Sequence, residues 1–134
     1  MPLAQSFRDL NVYQQALEGA ADVFELSRTF PREEKYSLTD QIRRSSRAVN
    51  AMIAEAWARR RYVGAFSEKL SQAMAEAMET QAWLDHALRC HYITVETHAT
   101  HDARWQSIGG MLHRMTERAE EFCRTSAPPA RIKR

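Results

Sequence analysis

The stretch that decides the fold is residues 37–61, SLTDQIRRSSRAVNAMIAEAWARRR. Its apolar and small residues recur every three or four positions, the spacing of one face of an α-helix. This face comprises Leu38, Ile42, Ser45, Val49, Met52, Ile53, Ala56 and Trp57. At about 100° per residue the arginines fall outside this face. The pattern predicts a helix to about Arg60 with one buried and one basic face, capped by Ser37 with Asp40 three positions on.

Two segments before and after this helix show the same spacing. In the first, the apolar face consists of Leu10, Tyr13, Leu17, Ala20, Phe24 and Ser27. Asp9 or Asn11 can cap its start, and Phe30-Pro31 ends it, because the residue before a proline is disfavoured in the α region. The next predicted helix spans residues 63–91, with a face formed by Phe66, Leu70, Ala73, Ala77, Leu84, Leu88 and His91.

A last helix is predicted to open at Thr94 or Thr97. Its apolar face consists of Trp105, Ile108, Leu112, Met115, Ala119 and Phe122. Gly109-Gly110 lies in the middle and predicts a local kink or a close helix approach, since glycine is a poor helix former. Four amphipathic helices with short connections predict an all-α protein, an antiparallel up-down four-helix bundle.

The composition agrees with a single helical domain. The chain has 134 residues, 44% hydrophobic and 27% charged, with a formal net charge of +2, far from that of a histone-like protein. Cys90 and Cys123 lack CxxC spacing and are expected to be reduced thiols. With no signal peptide and no apolar run of membrane-spanning length, we expect a cytoplasmic protein without a membrane partner. Residues 1–6 are predicted as a flexible lead, 7–124 as the bundle and 125–134 as a basic, disordered tail.

The basic face of the second helix is the candidate binding surface. Guanidinium groups form paired hydrogen bonds with phosphate oxygens, so a strip of arginines can bind nucleic acid. The candidate nucleic-acid-binding residues are Arg43, Arg44, Arg47, Arg59, Arg61 and Lys69. If the helix continues to Arg61, then Arg43, Arg47 and Arg61 share one strip. The alternative is a solvated face with pairs such as Asp40 to Arg44, or an ion pair between subunits that involves Glu55.

A second candidate surface is an interface between subunits. Ala51, Ala54 and Ala58 lie opposite the apolar face of the second helix, where small residues let another helix approach closely. They are equally compatible with exposed helix formers. Trp83 lies outside the apolar face of its helix and suits an interface anchor, or a cover for the bundle end.

The sequence shows no catalytic motif, so we expect no enzyme activity, no metal and no cofactor. Bundles with two metal ions use a Glu-x-x-His motif on paired helices, and the chain contains none. Glu76, Glu79 and His86 share a strip of the third helix but lie off its apolar face. Three further histidines, His91, His98 and His101, surround a turn. They are compatible with an adventitious metal, but surface residues are the preferred interpretation.

Several motifs resemble a known family. The opening Phe7, Leu10, Val12 and Tyr13 fits a Phe-x-x-Leu-x-Val-aromatic pattern, followed by Phe30-Pro31 with Glu34, and by Gln41-Ile42-Arg43-Arg44. Over residues 7–123 the chain resembles the bacterial four-helix-bundle proteins encoded in intervening sequences of large-subunit ribosomal RNA genes. These are relatives of the accessory variability proteins of diversity-generating retroelements.

The resemblance implies a homopentameric ring, RNA or DNA binding and, for the retroelement branch, a reverse-transcriptase-like partner. The chain departs from the family at its Asn-Ile-Ala-Glu-Gly motif, where Asn50 replaces the preceding proline, Met52 the asparagine and Ala56 the glycine. A Gly-Ser pair of the third helix is replaced by Met74-Ala75. A function carried by those positions would be altered here. The sequence thus predicts a non-enzymatic oligomer that binds nucleic acid or a nucleoprotein, or else a purely structural, protein-interaction oligomer.

Overall fold

The structure, a computed structural model, describes residues 4–126, the last three by backbone alone. Residues 1–3 of the predicted lead and 127–134 of the predicted tail lie outside the described range. The helices are α1 (Asn11–Ser27), α2 (Leu38–Ala58), α3 (Val63–Arg89), α4 (Val95–Glu117) and α5 (Ala119–Ser126). Short 3-10 turns at Phe7–Asp9 and Arg32–Glu34 precede α1 and α2, and the described residues contain no strand.

The four long helices pack around one core, with each of them contacting its neighbours along the chain and α1 closing against α4. This arrangement confirms the predicted all-α bundle. The apolar face predicted for α2 is buried except for the half-buried Met52. Within the core, the fully buried hydroxyls of Ser45 and Thr80 lie 2.8 Å apart, which satisfies two polar groups between α2 and α3.

The face predicted for α1 is partly wrong. Leu17 is 48% exposed and Tyr13 and Phe24 are half-buried, whereas the buried face consists of Val12, Ala16, Gly19, Ala20, Val23 and Ser27. The reason is packing distance. A Cβ added to Gly19 would lie 3.0 Å from Cζ2 of the fully buried Trp105 of α4, so small residues must face the core here.

The predicted caps also differ. Neither Asp9 nor Asn11 caps α1, because Asp9 forms a capping box with Ser6 around the preceding 3-10 turn. Ser37 stands at the start of α2 but its side chain caps nothing. The carboxylate of Glu34 does so instead, accepting a hydrogen bond from the Leu38 amide at 3.2 Å. Thr94, one of the two residues predicted to open α4, caps this helix by accepting a hydrogen bond from the Thr97 amide.

The helix ends modify three further predictions. α2 ends at Ala58 and α3 at Arg89. His91 is not part of the α3 face, because it is exposed and has φ of 63°, the left-handed conformation that follows many helix ends. α4 continues through Gly109-Gly110 without a break, and a Cβ at Gly109 would meet nothing within 4 Å. The break comes at Arg118, after which α5 carries the buried Ala119.

Candidate nucleic-acid interface

The predicted basic residues divide into two groups by their partners. Arg44 belongs to the first group, because its guanidinium binds two carboxylates of α3, Glu79 and, at 3.1 Å, Glu76. The hydrogen bonds that Arg44 donates to Glu79 and then to Glu76 raise its pKa. The same Glu79 accepts a hydrogen bond from the indole nitrogen of Trp83 at 3.1 Å. Arg44 therefore ties α2 to α3 and is not a free phosphate-binding group.

Lys69 also belongs to this first group. Its Nζ lies 2.7 Å from the Glu55 carboxylate of α2 and 3.2 Å from the side-chain oxygen of Gln72. The pKa of Glu55 is lowered, first by this hydrogen bond to Lys69 and more weakly by the charge of Arg59 one turn later. The carboxylate that was predicted to pair between subunits thus has a partner within its own chain.

Arg43 and Arg47 form the second group, for which no described carboxylate lies in ion-pair range. Both guanidiniums lie over the ring of Phe24 in α1, 4.5 Å and 5.5 Å from its centroid. Nε of Arg43 also donates to Ser27 Oγ at 2.7 Å. Stacking on an aromatic ring restricts a guanidinium while its N–H edges stay available. We call Arg43, Arg47 and Phe24 the arginine pair site.

A groove between α1 and α2 adjoins the arginine pair site. It has a volume of about 570 Å³ and is lined by apolar side chains of α1, by the α1 carboxylates Asp22 and Glu25, and by Arg47 and Asn50 of α2. Asn50 donates from Nδ2 to the Tyr13 carbonyl at 3.1 Å, while its buried Oδ1 accepts no hydrogen bond from the described residues. The groove thus combines an apolar wall with polar groups of α2.

The acidic residues on α1 do not neutralise the arginine pair. Glu25 pairs with Arg28 at 3.3 Å on its own helix. Asp22 and Glu18 both bind Arg104 of α4, at 3.1 Å and 3.2 Å. Each of these three carboxylates pairs with Arg28 or Arg104, and none of them forms an ion pair with Arg43 or Arg47. Neither guanidinium is therefore neutralised by a direct contact with α1.

The basic residues at the end of α2 are arranged differently from the prediction. Because α2 ends at Ala58, Arg61 lies in the following turn, 5.9 Å from the Tyr62 ring, and does not continue the strip of Arg43 and Arg47. Arg59 is exposed at the helix end. Arg60, which the sequence pattern did not single out, packs 4.0 Å over Trp57 and donates to its carbonyl at 2.8 Å.

The residues predicted for an interface lie on accessible parts of the bundle. Ala51 and Ala58 are exposed and Ala54 is half-buried. Trp83 is half-buried, and its ring lies 5.7 Å from that of His86. The alanines therefore form a low-relief surface on α2, where the absence of long side chains permits close approach of another helix.

Two residues of this region were missed by sequence reasoning. Phe24 was assigned to the core, yet it supports the arginine pair, and Tyr36 is 83% exposed near Trp83. No signal in the sequence separates an aromatic residue that packs inward from one that supports a cation. Whether Phe24 contacts the core or the arginines of α2 depends on how α1 and α2 cross, which only the folded structure shows.

The acidic strip of α3 gives no dimetal site, since Glu76 and Glu79 bind Arg44. Of the three histidines around the turn, His98 alone meets two carboxylates, those of Asp85 and Asp102. Within residues 4–126 no helix is both long enough and apolar enough to cross a membrane.

Comparisons with known proteins agree with this architecture. The family model described as 23S rRNA-intervening sequence protein matches residues 8–114. A crystal structure of a protein of unknown function from the S23 ribosomal protein family of Bacteroides thetaiotaomicron is 30% identical, with a TM-score of 0.72. The match covers 79% of this chain and 95% of that one. No match was found among curated proteins. The chain belongs to the 23S rRNA-intervening sequence protein family.

Proposed function

We propose that this protein is a non-enzymatic helical bundle that binds nucleic acid through the arginine pair site. The observation that carries the proposal is the contrast on one helix: Arg44 is neutralised by two carboxylates, whereas Arg43 and Arg47 have none. Stacking on Phe24 restricts these two guanidiniums before binding, so less side-chain entropy is lost when they meet phosphates. The family description refers to an rRNA intervening sequence, which supports RNA as the ligand.

The binding energy would come mainly from phosphate contacts. One helical turn separates Arg43 from Arg47, so the pair can reach neighbouring phosphates of one strand. Arg59 and Arg61 lie exposed at the end of α2 and add positive potential there. Phosphate contacts position the backbone of the nucleic acid and do not distinguish its base sequence.

Filter binding with a structured RNA over a salt series tests this function. We expect the logarithm of the affinity to fall linearly with the logarithm of salt concentration between about 50 and 200 mM. Two to four phosphate contacts predict a slope of about −2 to −4. Affinity that does not change with salt, or that is no higher than for a neutral polymer, would contradict the proposal.

We further propose that the protein assembles into a homopentameric ring. Support comes from the exposed Ala51 and Ala58 on α2 and from the family resemblance. A ring repeats the arginine pair site once per subunit, so one long RNA contacts several copies and binds with higher avidity. The reverse-transcriptase-like partner that the resemblance implies stays a prediction.

Light scattering tests the ring. Wild type is expected at five times the chain mass of 15.5 kDa. Ala51→Glu should lower the mass, because it places a long charged side chain at a close helix contact, whereas Ala103→Glu on the exposed side of α4 should not. A monomeric wild type would overturn the ring, and a pentameric Ala51→Glu variant would overturn the placement of Ala51 in the subunit interface.

The second candidate function is a protein-interaction module. It is favoured by the groove between α1 and α2, whose wall includes the 48% exposed Leu17. Leu17 lies beside Ala20, Ala21 and Phe24 in the groove, and a contiguous apolar surface is a feature of protein contacts. Under this alternative, Leu17→Ser would abolish partner binding and leave RNA binding unchanged, while the opposite pattern would favour the nucleic-acid function.

A further inference from the structure

Three side chains with metal-binding atoms converge between α3 and α4, on a part of the bundle that the proposed function does not use. His98 and Asp102 lie one turn apart on α4, and Asp85 comes from α3. His98 Nε2 is 2.8 Å from Asp85 Oδ1, and one ligand atom from each residue lies within 4.8 Å of the other two. Residues four apart on a helix share a face, so this spacing places His98 and Asp102 side by side.

The surrounding structure orients His98 and Asp102. The side chain of His98 is only 18% exposed. Gln81 of α3 donates from Nε2 to Asp102 Oδ1 at 3.1 Å and to Gln106 Oε1 at the same distance. A neighbour that orients a carboxylate in this way is typical of the surroundings of metal ligands.

The charge balance at this position favours a cation. Among the described residues no lysine or arginine forms an ion pair with Asp85 or Asp102. The nearby Arg104 points its guanidinium to Glu18 and Asp22 of α1 instead. Two carboxylates therefore face one imidazole, which leaves a net negative charge even when the imidazole is protonated.

The ligand types select the kind of metal. One imidazole nitrogen with two carboxylate oxygens suits Zn²⁺ and related late transition metals, whereas Mg²⁺ and Ca²⁺ prefer oxygen ligands throughout. Zn²⁺ binds nitrogen and oxygen at about 2.0–2.2 Å, so tetrahedral ligand atoms are about 3.4 Å apart. Because the three atoms lie within 4.8 Å of one another, no separation has to shrink by more than about 1.4 Å, whereas the 2.8 Å between His98 and Asp85 has to widen by about 0.6 Å. Changes of this size lie within the reach of side-chain rotamers, and the 70% exposed Asp85 is free to change its own.

We propose that Asp85, His98 and Asp102 bind one Zn²⁺ ion per chain, with the fourth position open to water. The ion replaces the direct contact between His98 and Asp85 and connects the C-terminal half of α3 to the N-terminal half of α4. Binding to the folded chain alone stabilises it, since the ligands come from two helices.

Titration calorimetry with ZnCl₂ tests the site, in a Cys90→Ser background because an exposed thiol such as that of Cys90 is a competing zinc ligand. We expect one saturable site per chain and no binding of MgCl₂. His98→Gln and Asp85→Asn should each weaken zinc binding by about tenfold or more. Asp85 is mostly exposed, so its substitution leaves folding intact.

The matched control is His113→Gln on the same helix. His113 pairs with Glu117 one turn later at 3.3 Å, so it is a comparable histidine and carboxylate pair without a third group. Its substitution should leave zinc affinity unchanged. Zinc should also raise the melting temperature of the Cys90→Ser protein but not that of its His98→Gln variant. Equal zinc affinity in the His98→Gln, Asp85→Asn and His113→Gln variants, or no saturable binding in the parent, would overturn the site.

Discussion

At the residue scale, Glu34 connects the start of α2 to the turn that follows α3. Its carboxylate accepts hydrogen bonds from Ser37 Oγ at 2.6 Å, from Tyr92 OH at 2.8 Å and from the Leu38 amide. The hydroxyl of Ser37 and then that of Tyr92 lower the pKa of Glu34. In return, the hydrogen bond to Glu34 raises the pKa of Tyr92 to about 12. One carboxylate thus caps α2 and fastens it to the turn after α3.

The sign of these pKa shifts predicts how stability depends on pH. A carboxyl whose pKa is lowered on folding stabilises the protein above its unfolded pKa, and this contribution is lost as pH falls through the folded value. The raised pKa of Tyr92 stabilises below the tyrosine value of 10 and is lost as pH rises toward about 12. The contact therefore contributes most at neutral pH.

Melting temperature as a function of pH checks this prediction. Glu34→Gln should melt below wild type at neutral pH, and the difference should vanish as pH falls below the usual glutamate range. The adjacent exposed Glu33→Gln serves as the control and should show little difference throughout. A melting difference for Glu34→Gln that stays constant into acid would contradict the assigned role.

At the scale of elements, helical periodicity correctly predicted the buried face of a helix where that face consists of large apolar residues. The faces of α2 and of the body of α3 were predicted because Ile42, Ile53, Phe66 and Leu70 are large and fully buried. The buried face predicted for α1 was partly wrong, because the actual face consists mostly of small residues, which give a weak periodic signal in the sequence. The start of α2 at Ser37 was predicted, but its capping side chain was not, because Glu34 is set in place by Tyr92, 58 positions away.

Gly19 of α1 and Gly109 of α4 offer a matched test of helix packing. Gly109→Ala should raise the free energy of unfolding by about 0.5–1 kcal/mol, because alanine favours a helix and the new methyl group meets no neighbour. Gly19→Ala gains the same propensity but forces its methyl group against the buried Trp105. We expect a net loss of about 1 kcal/mol. Denaturant unfolding measures both, and equal stabilisation by the two substitutions would show that α1 and α4 are not closely packed.

At the scale of the whole molecule, the sequence located the basic helix but not the partners of its arginines. Helical spacing places Arg43, Arg44 and Arg47 on one side of α2, and all six predicted cations looked alike. Their difference comes from contacts with other helices. Glu76 and Glu79 of α3 pair with Arg44, and Glu55 of α2 pairs with Lys69 of α3, while α1 supplies the ring of Phe24 to Arg43 and Arg47. The packing of the helices therefore decides which of these cations stay available to bind a phosphate.

The central claim is that Arg43 and Arg47 bind phosphates whereas Arg44 and Lys69 serve the fold. The most direct test compares two double variants that remove the same charge, Arg43→Ala with Arg47→Ala and Arg44→Ala with Lys69→Ala, in RNA binding over a salt series. The first should make the salt slope less negative by about two, one for each lost phosphate contact. The second should keep a slope close to that of wild type. Equal changes of slope in the two variants would contradict the account.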